Sequence, residues 1–296
     1  MSDYFFIDLG NALISGLMIG SLYAIMALGL TIIHGVVRIF NFCHGGMSIL
    51  GGYLTFMFLS RLGTGLIVSV GLSCLVMFFF GLFLYRFSIA FLVRKPNWEI
   101  SSVIFLLGLG ILMENLMLQL FGPRVKEIPI FFQDAFEFGY IRINHHDVLL
   151  MVLVVMIVLA LNLFFSHTWL GRSIRAVAQD LDGSRVVGIN ANRTLALAFG
   201  LAAAVTGLAG ILLATKYYLT PQIGWDWMFK GFIIVVFGGL GTITGAIFAG
   251  LIMGLIEALI TLYGSQPWVW PAWFIIFLVV LLIKPEGLFG RKSASY

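Results

Sequence analysis

The sequence predicts an all-α fold, a polytopic bundle of transmembrane helices forming one membrane domain over residues 1–296 with no soluble module. Three observations carry this. Hydrophobic residues make up 61% of the 296 residues, with mean hydropathy +1.07, against roughly 45 to 50% apolar content in ordinary soluble domains. Apolar stretches approaching the ~20 residues that cross a bilayer core recur at 9–33, 45–60, 64–85, 99–121, 147–166, 194–215, 231–262 and 269–283, about eight membrane segments. Charged residues are only 10% of the chain and gather in the connectors.

The first segment follows "MSDYFFIDLG", which has neither a basic n-region nor a small-residue cleavage site, so it reads as a retained span rather than a removable signal. Gly16 and Gly20, one turn apart, give it a face for close helix packing. Between segments one and two, "RIFNFCHGGMSILGGY" sets Asn41 and His44 beside a Gly45–Gly46 break. Polar groups at membrane depth are costly unless paired or facing a wet route, so Asn41, His44 and Gly45 are pathway candidates. Cys43 and Cys74 lack CxxC spacing and read as buried free thiols.

Segment four carries a deep carboxylate, Glu114, in "GILMENLMLQL". The connector 122–146 is too short for a globular domain. His145, His146 and Asp147 read as an interfacial cap on segment five: neighbours on a helix point about 100° apart, and a metal site would need further ligands. His167 closes the same segment.

The next connector, 167–193, concentrates Arg172, Arg175, Asp180, Asp182 and Arg185 in "GRSIRAVAQDLDGSRVVGIN". Ile174, Val177, Ala178 and Leu181 share one side, which predicts a short amphipathic helix bounded by glycines. A helix lying on lipid favours a polar face of one basic sign, and the two aspartates point instead to a protein-docking element.

The stretch 231–262 is too long for one plain span and contains "GGLG", so a broken or re-entrant segment is expected there, with Gly238, Gly239 and Gly241 at the break. Beyond it Gly245, Ala246, Gly250 and Gly254 form a small-residue stripe, followed by a third deep polar group, Glu257. Trp225, Trp227, Trp268, Trp270 and Trp273 fit an interfacial belt.

Basic residues favour cytoplasmic connectors. With the N-terminus outside, Arg38, Arg86, Arg94, Lys95, Arg172, Arg175, Arg185 and Arg193 lie inside, against Arg61, Arg124, Lys126, Arg142, Lys216 and Lys230 outside. The tail residues Lys284, Arg291 and Lys292 also belong inside, which requires an odd number of crossings after Lys216. An extra crossing at the break near 231–262 satisfies that parity. The net charge of +4 sits in connectors rather than on one solvated face, so no nucleic-acid partner is indicated. GxxxxGK[ST], HExxH, GxSxG and strand-borne GxGxxG motifs are all missing from the sequence, which predicts no ATP site, cofactor or enzymatic centre of those kinds.

Residues 171–190 resemble the cytoplasmic coupling loop of ABC-importer permeases in its branched-chain amino acid version, matching at Gly171, Arg172, Arg175, Ala176, Asp180, Gly188, Ile189 and Asn190. Arg38, Ile39, Asn41, Phe42, His44 and Gly45 are similar to the N-terminal signature of the LivH-type subunits. Residues 235–259, Glu257 included, resemble the family's glycine-rich seventh segment. "KPEGLFG" (284–290) resembles its terminal motif, with Lys284 where arginine is usual. The sequence departs from the pattern at Gly183 and Ser184, where alanines are common, and at Gly46, where a polar residue is common.

The resemblance implies an inner-membrane permease of a bacterial importer for branched-chain amino acids, not an enzyme, which pairs with a LivM-like homologue or with itself. It further implies two cytoplasmic ATPase subunits, which bind the ATP, docked through Gly171, Arg172, Arg175, Ala176, Asp180, Asp182 and Gly188, and an extracytoplasmic binding protein. Urea or short amides are the alternative substrates within the resemblance. From another class, an ion-coupled secondary transporter would use Glu114 or Glu257.

Overall fold

The computed structural model describes residues 2–290 apart from 94, 131, 133 and 139. Arg94, Arg291 and Lys292 therefore lie outside the described residues.

Helix α1 (Ser2–Val37) leads into α2 (His44–Leu62) and α3 (Leu66–Leu84), which continues through a π turn at Tyr85–Ile89 into the short α4 (Ala90–Leu92). Then come α5 (Trp98–Phe121), the antiparallel strands β1 (Ala135–Phe138) and β2 (Ile141–Asn144), and α6 (His145–His167). Two short helices, α7 (Trp169–Gln179) and α8 (Leu181–Val186), precede α9 (Ala191–Lys216). The chain closes with α10 (Ile223–Gly238), α11 (Ile243–Tyr263) and α12 (Val269–Ile283). Seven helical stretches among the described residues are long and apolar enough to cross a bilayer; the 19-residue α2 falls outside them by its glycine-rich, less apolar composition and the 16-residue α10 by its length.

Burial sorts these helices into a centre and a rim. α1 and α9 are largely covered, whereas α3, α5, α6 and α12 expose most of their apolar surface, as lipid-facing helices do. Small residues allow the central contacts. Gly16 and Gly20 of α1 lie against Gly254 and the backbone of Leu251 and Leu255 in antiparallel α11, so the predicted glycine stripes meet each other. Gly81 of α3 lies against the backbone of Phe199 and Gly200 in α9. In lipid, where apolar burial gives little drive between helices, such close backbone packing supplies the attraction.

The second predicted span is not a plain crossing. His44 Nε2 lies 2.9 Å from Met26 O, eleven residues before α1 ends at Val37. At 1.5 Å per residue, α2 therefore begins roughly 16 Å back from the end of α1, with residues 38–43 climbing that distance unwound.

The expected break in 231–262 is a full turn between two helices. Gly239 (φ +104°) and Gly241 (φ +77°) adopt left-handed backbone, and Thr242 N donates to Gly239 O at 3.1 Å. The freed carbonyls at the end of α10 are not left to lipid: Leu288 N donates to Phe237 O at 2.8 Å and Phe289 N to Gly238 O at 3.1 Å. The terminal "KPEGLFG" thus covers the turn. Two of the spanning stretches follow Lys216, at α11 and α12, so a cytoplasmic tail requires the chain through the shorter α10 to supply the third crossing.

Two expectations are corrected. The β1–β2 hairpin, on the outer side by this orientation, was not foreseen in the connector 122–146. Nor do the tryptophans form a simple belt: Trp273 and Trp227 are buried, at 0% and 4% exposure, whereas Trp268 is 65% exposed.

Candidate functional site

The 167–193 loop folds as an elbow rather than as the single helix its periodicity predicts. Thr168 caps α7, accepting from Gly171 N at 3.0 Å. Gly171 sits so close to Phe164 O and Phe165 Cα that a β-carbon would collide with them, which fixes glycine at the sharp α6–α7 corner. Ser173, Ile174 and Val177 are buried while Arg172, Arg175 and Gln179 face out. Asp180 then ends α7 and caps α8, its Oδ1 accepting from Asp182 N at 3.1 Å and Gly183 N at 3.0 Å. Two helices replace one because this cap offers the backbone a better partner than continuing the helix.

The other coupling candidates divide between structural and exposed positions. Arg175 donates to Phe165 O, tying α7 back to α6, and Ala176 is half-buried beside it. Asp182 pairs with Arg185 at 2.9 Å on the open side. Gly188 (φ +84°) turns the chain toward Asn190, which caps α9 by accepting from Arg193 N at 3.1 Å. Val186 and Val187 are 87% and 74% exposed, so the outer face of the elbow is apolar and uncovered. Gly183 lies against the Asp180 carboxylate, which would have to shift for the alanine common at that place. A cavity of about 310 Å³ separates α7 from the α10–α11 turn, with Ile174, Arg175, Gly35 and Gly241 in its walls. Gly238, Gly239 and Gly241 thus stand next to the elbow, on the same side of the bundle.

Asn41, His44 and Gly45 come together inside the bundle. Asn41 Oδ1 accepts from Cys43 N at 3.1 Å, shaping the turn that starts α2. His44 is fully buried, with Nε2 at Met26 O and Nδ1 3.3 Å from Thr206 Oγ1 of α9. Gly45 touches the backbone of Gly224, so the N-terminal ends of α2 and α10 abut. Glu114 reaches the same place from α5, its Oε2 accepting from Trp225 Nε1 at 2.5 Å. Beside it lies an almost wholly apolar recess of about 150 Å³, walled by Leu30, Phe42, Met228, Phe232 and Phe277 among others.

Glu257 is separate from that junction. Its carboxylate accepts from Tyr23 OH at 3.0 Å and from Lys230 Nζ at 3.0 and 3.1 Å, and Lys230 also donates to Tyr23 OH. Lys230 was expected in an outer connector; it stands within α10, its side chain 14% exposed. Hydropathy alone placed it outside because it adjoins the apolar run, whereas α10 already begins at Ile223. The sign that was available is Glu257 itself, a deep carboxylate that requires a cation. Tyr23 and Thr206 were likewise missed, since a hydroxyl group leaves little mark on a hydropathy profile, and Trp225, expected in an interfacial belt, instead donates to Glu114. At the outer end, Asp147 accepts from Lys216 Nζ at 2.6 Å and joins α6 to α9 rather than acting as a cap alone.

Over residues 12–284 the chain matches the family described as branched-chain amino acid transport system, permease component. It is 32% identical to the high-affinity branched-chain amino acid transport system permease protein LivH of Escherichia coli K12, over 100% of this chain and 99% of that one. It is 32% identical to the corresponding protein BraD of Pseudomonas aeruginosa, over 96% of each chain. A probable LivH of Methanocaldococcus jannaschii is 26% identical over 96% of this chain and 94% of its own length. The helical, lipid-facing architecture and a match that runs nearly from end to end have one reading: the chain belongs to the family of branched-chain amino acid transport permeases, as a multi-pass protein of the inner membrane.

Proposed function

We propose that the chain is the membrane-spanning subunit of an ATP-driven importer that carries branched-chain amino acids. It pairs with a second permease, LivM-like or identical, takes solute from an extracytoplasmic binding protein, and draws its energy from two cytoplasmic ATPase subunits that hold the ATP. Family membership supports companions of this kind in general. The observation that carries the reading is the α7–α8 elbow: it is seated on the bundle by Ile174 and Val177 and presents Arg172, Asp182, Val186 and Val187 outward, uncovered by any of the described residues.

Motion of the elbow has a physical route inward. α7 borders the cavity whose other wall is Gly35 and Gly241, and α10 runs from that turn to the junction of Gly45, His44 and Glu114. A pull on α7 would thus act on α10 through α1, on which α7 packs and whose Gly35 touches Gly241 of the α10–α11 turn. The apolar recess at the junction suits an aliphatic side chain better than urea, which needs hydrogen-bond partners in any binding site. Lys230 already compensates Glu257, which leaves that carboxylate no free charge for a cation-coupled mechanism.

Reversing charge at both Arg172 and Asp182, which face outward, tests the docking role. The variant is expected to insert and fold, to lose the ATPase subunits in a detergent pull-down, and to lose uptake. Normal uptake by that variant overturns the proposal.

A further inference from the structure

Between the outer ends of α1 and α11 lies a vestibule of about 470 Å³ whose walls include Asp8, Asn11, Ser15, Tyr217 and Thr261, with Glu257 among them. It is on the side of the β-hairpin, since Asn11 Nδ2 donates to Tyr140 O at 3.4 Å. Behind Glu257 stands the Lys230 ammonium, held over the rings of Tyr23 (4.6 Å to the centroid), Trp273 (5.2 Å) and Trp270 (5.8 Å). The carboxylate side chain is 6% exposed and the lysine 14%. A further polar group in the cluster lacks a partner: Trp273 is fully buried, and its Nε1–H meets no acceptor among the described residues.

Packing alone does not explain an ion pair here. A buried pair is often no better for stability than apolar side chains of the same volume. The contact of α1 with α11 is already made by the glycine stripes. The pair ties α10 to α11 beside an open vestibule, and one of its members reaches the vestibule wall.

We infer that the Tyr23–Lys230–Glu257 cluster is a binding site for the charged end of a zwitterionic α-amino acid, an inference that rests on the reading of the chain as an amino acid permease. The α-ammonium takes Glu257 with the Tyr217 hydroxyl beside it, and the α-carboxylate takes Lys230 and supplies the missing acceptor to Trp273. One internal ion pair is exchanged for two intermolecular ones, so each buried charge keeps a partner throughout. An amine without the acid leaves Lys230 unpaired, and an acid without the amine leaves Glu257 unpaired. Both are strongly disfavoured at this depth. The site therefore selects for the presence of both charges together and holds α10 against α11 until such a solute arrives.

The test uses the complete importer, with its ATPases and binding protein, in proteoliposomes. Wild-type uptake of leucine is measured first; if there is none, the proposed function itself fails, before any variant is compared. Glu257→Gln and Lys230→Met are each expected to lower uptake by roughly 10- to 100-fold, the effect of losing a hydrogen bond to a charged group. The double variant carries no charge in the cluster and is expected to fold with wild-type thermal stability yet to remain as inactive as the singles. Recovery of wild-type uptake by the double variant makes the pair a structural tie and overturns the inference.

A second measurement needs no variant. Leucine binding to the wild-type permease–ATPase complex without the binding protein is challenged with isoamylamine and with 4-methylpentanoate. Weak competition by both is expected, and competition by either at the concentration of leucine overturns the inference.

Discussion

Individual glycines set how closely the helices approach, and their environments predict opposite outcomes for similar substitutions. At Gly254 a new β-carbon meets the backbone of Gly20 in α1, whereas at Gly71 on the rim helix α3 it meets nothing within 4 Å. Gly254→Val is expected to lower stability by about 1–3 kcal/mol through overpacking, read as a fall in the detergent melting temperature. Gly71→Ala is expected to leave that temperature unchanged or raise it, since removing an unneeded helical glycine gains up to about 1 kcal/mol. A lower melting temperature for Gly71→Ala alone would show the packing assignment to be wrong. This was half legible in the sequence: the stripes Gly16–Gly20 and Gly250–Gly254 stood out by spacing, but nothing in the spacing said that they face each other. The deep polar residues behaved likewise. Glu114, Glu257 and His44 were marked by their cost in lipid, while their partners Trp225, Lys230 and Thr206 depend on which helices touch.

At the scale of elements, the loop 171–190 was legible as amphipathic and charged, but its corner was not. Asp180 was read as part of a docking face, and its side chain caps α8. The cap is worth about 1 kcal/mol in comparable helices, enough to decide the shape of a six-residue helix that cannot stand on propensity alone. Asp180→Ala is accordingly expected to raise amide hydrogen exchange across 181–187 and to weaken coupling, while Asp180→Asn, which keeps the accepting oxygen, retains both. If Asn proves as defective as Ala, the charge of Asp180 matters and the cap does not. The α10–α11 turn shows the same division. Its glycines announced a break, but its cover by residues 288–289 joins parts of the chain about fifty residues apart and leaves no local trace.

For the molecule as a whole, the apolar spans were legible from length and composition because the bilayer restricts the choices. The deep start of α2 and the shortness of α10 were hidden, since an apolar run reads the same whether it begins at the membrane face or within the bundle. The orientation predicts that a cysteine replacing Lys284 is labelled by an impermeant maleimide only from the cytoplasmic side, and one replacing Arg124 only from outside. Labelling of both from one side would contradict it. Beneath these details lies one claim, that this chain supplies the route and the partners of its elbow supply the energy. The most direct measurement is leucine accumulation in proteoliposomes containing the permease pair, with and without the ATPase subunits, at fixed ATP, binding protein and membrane potential. Accumulation against a gradient is expected only when the ATPases are present, and concentrative uptake without them would contradict the account.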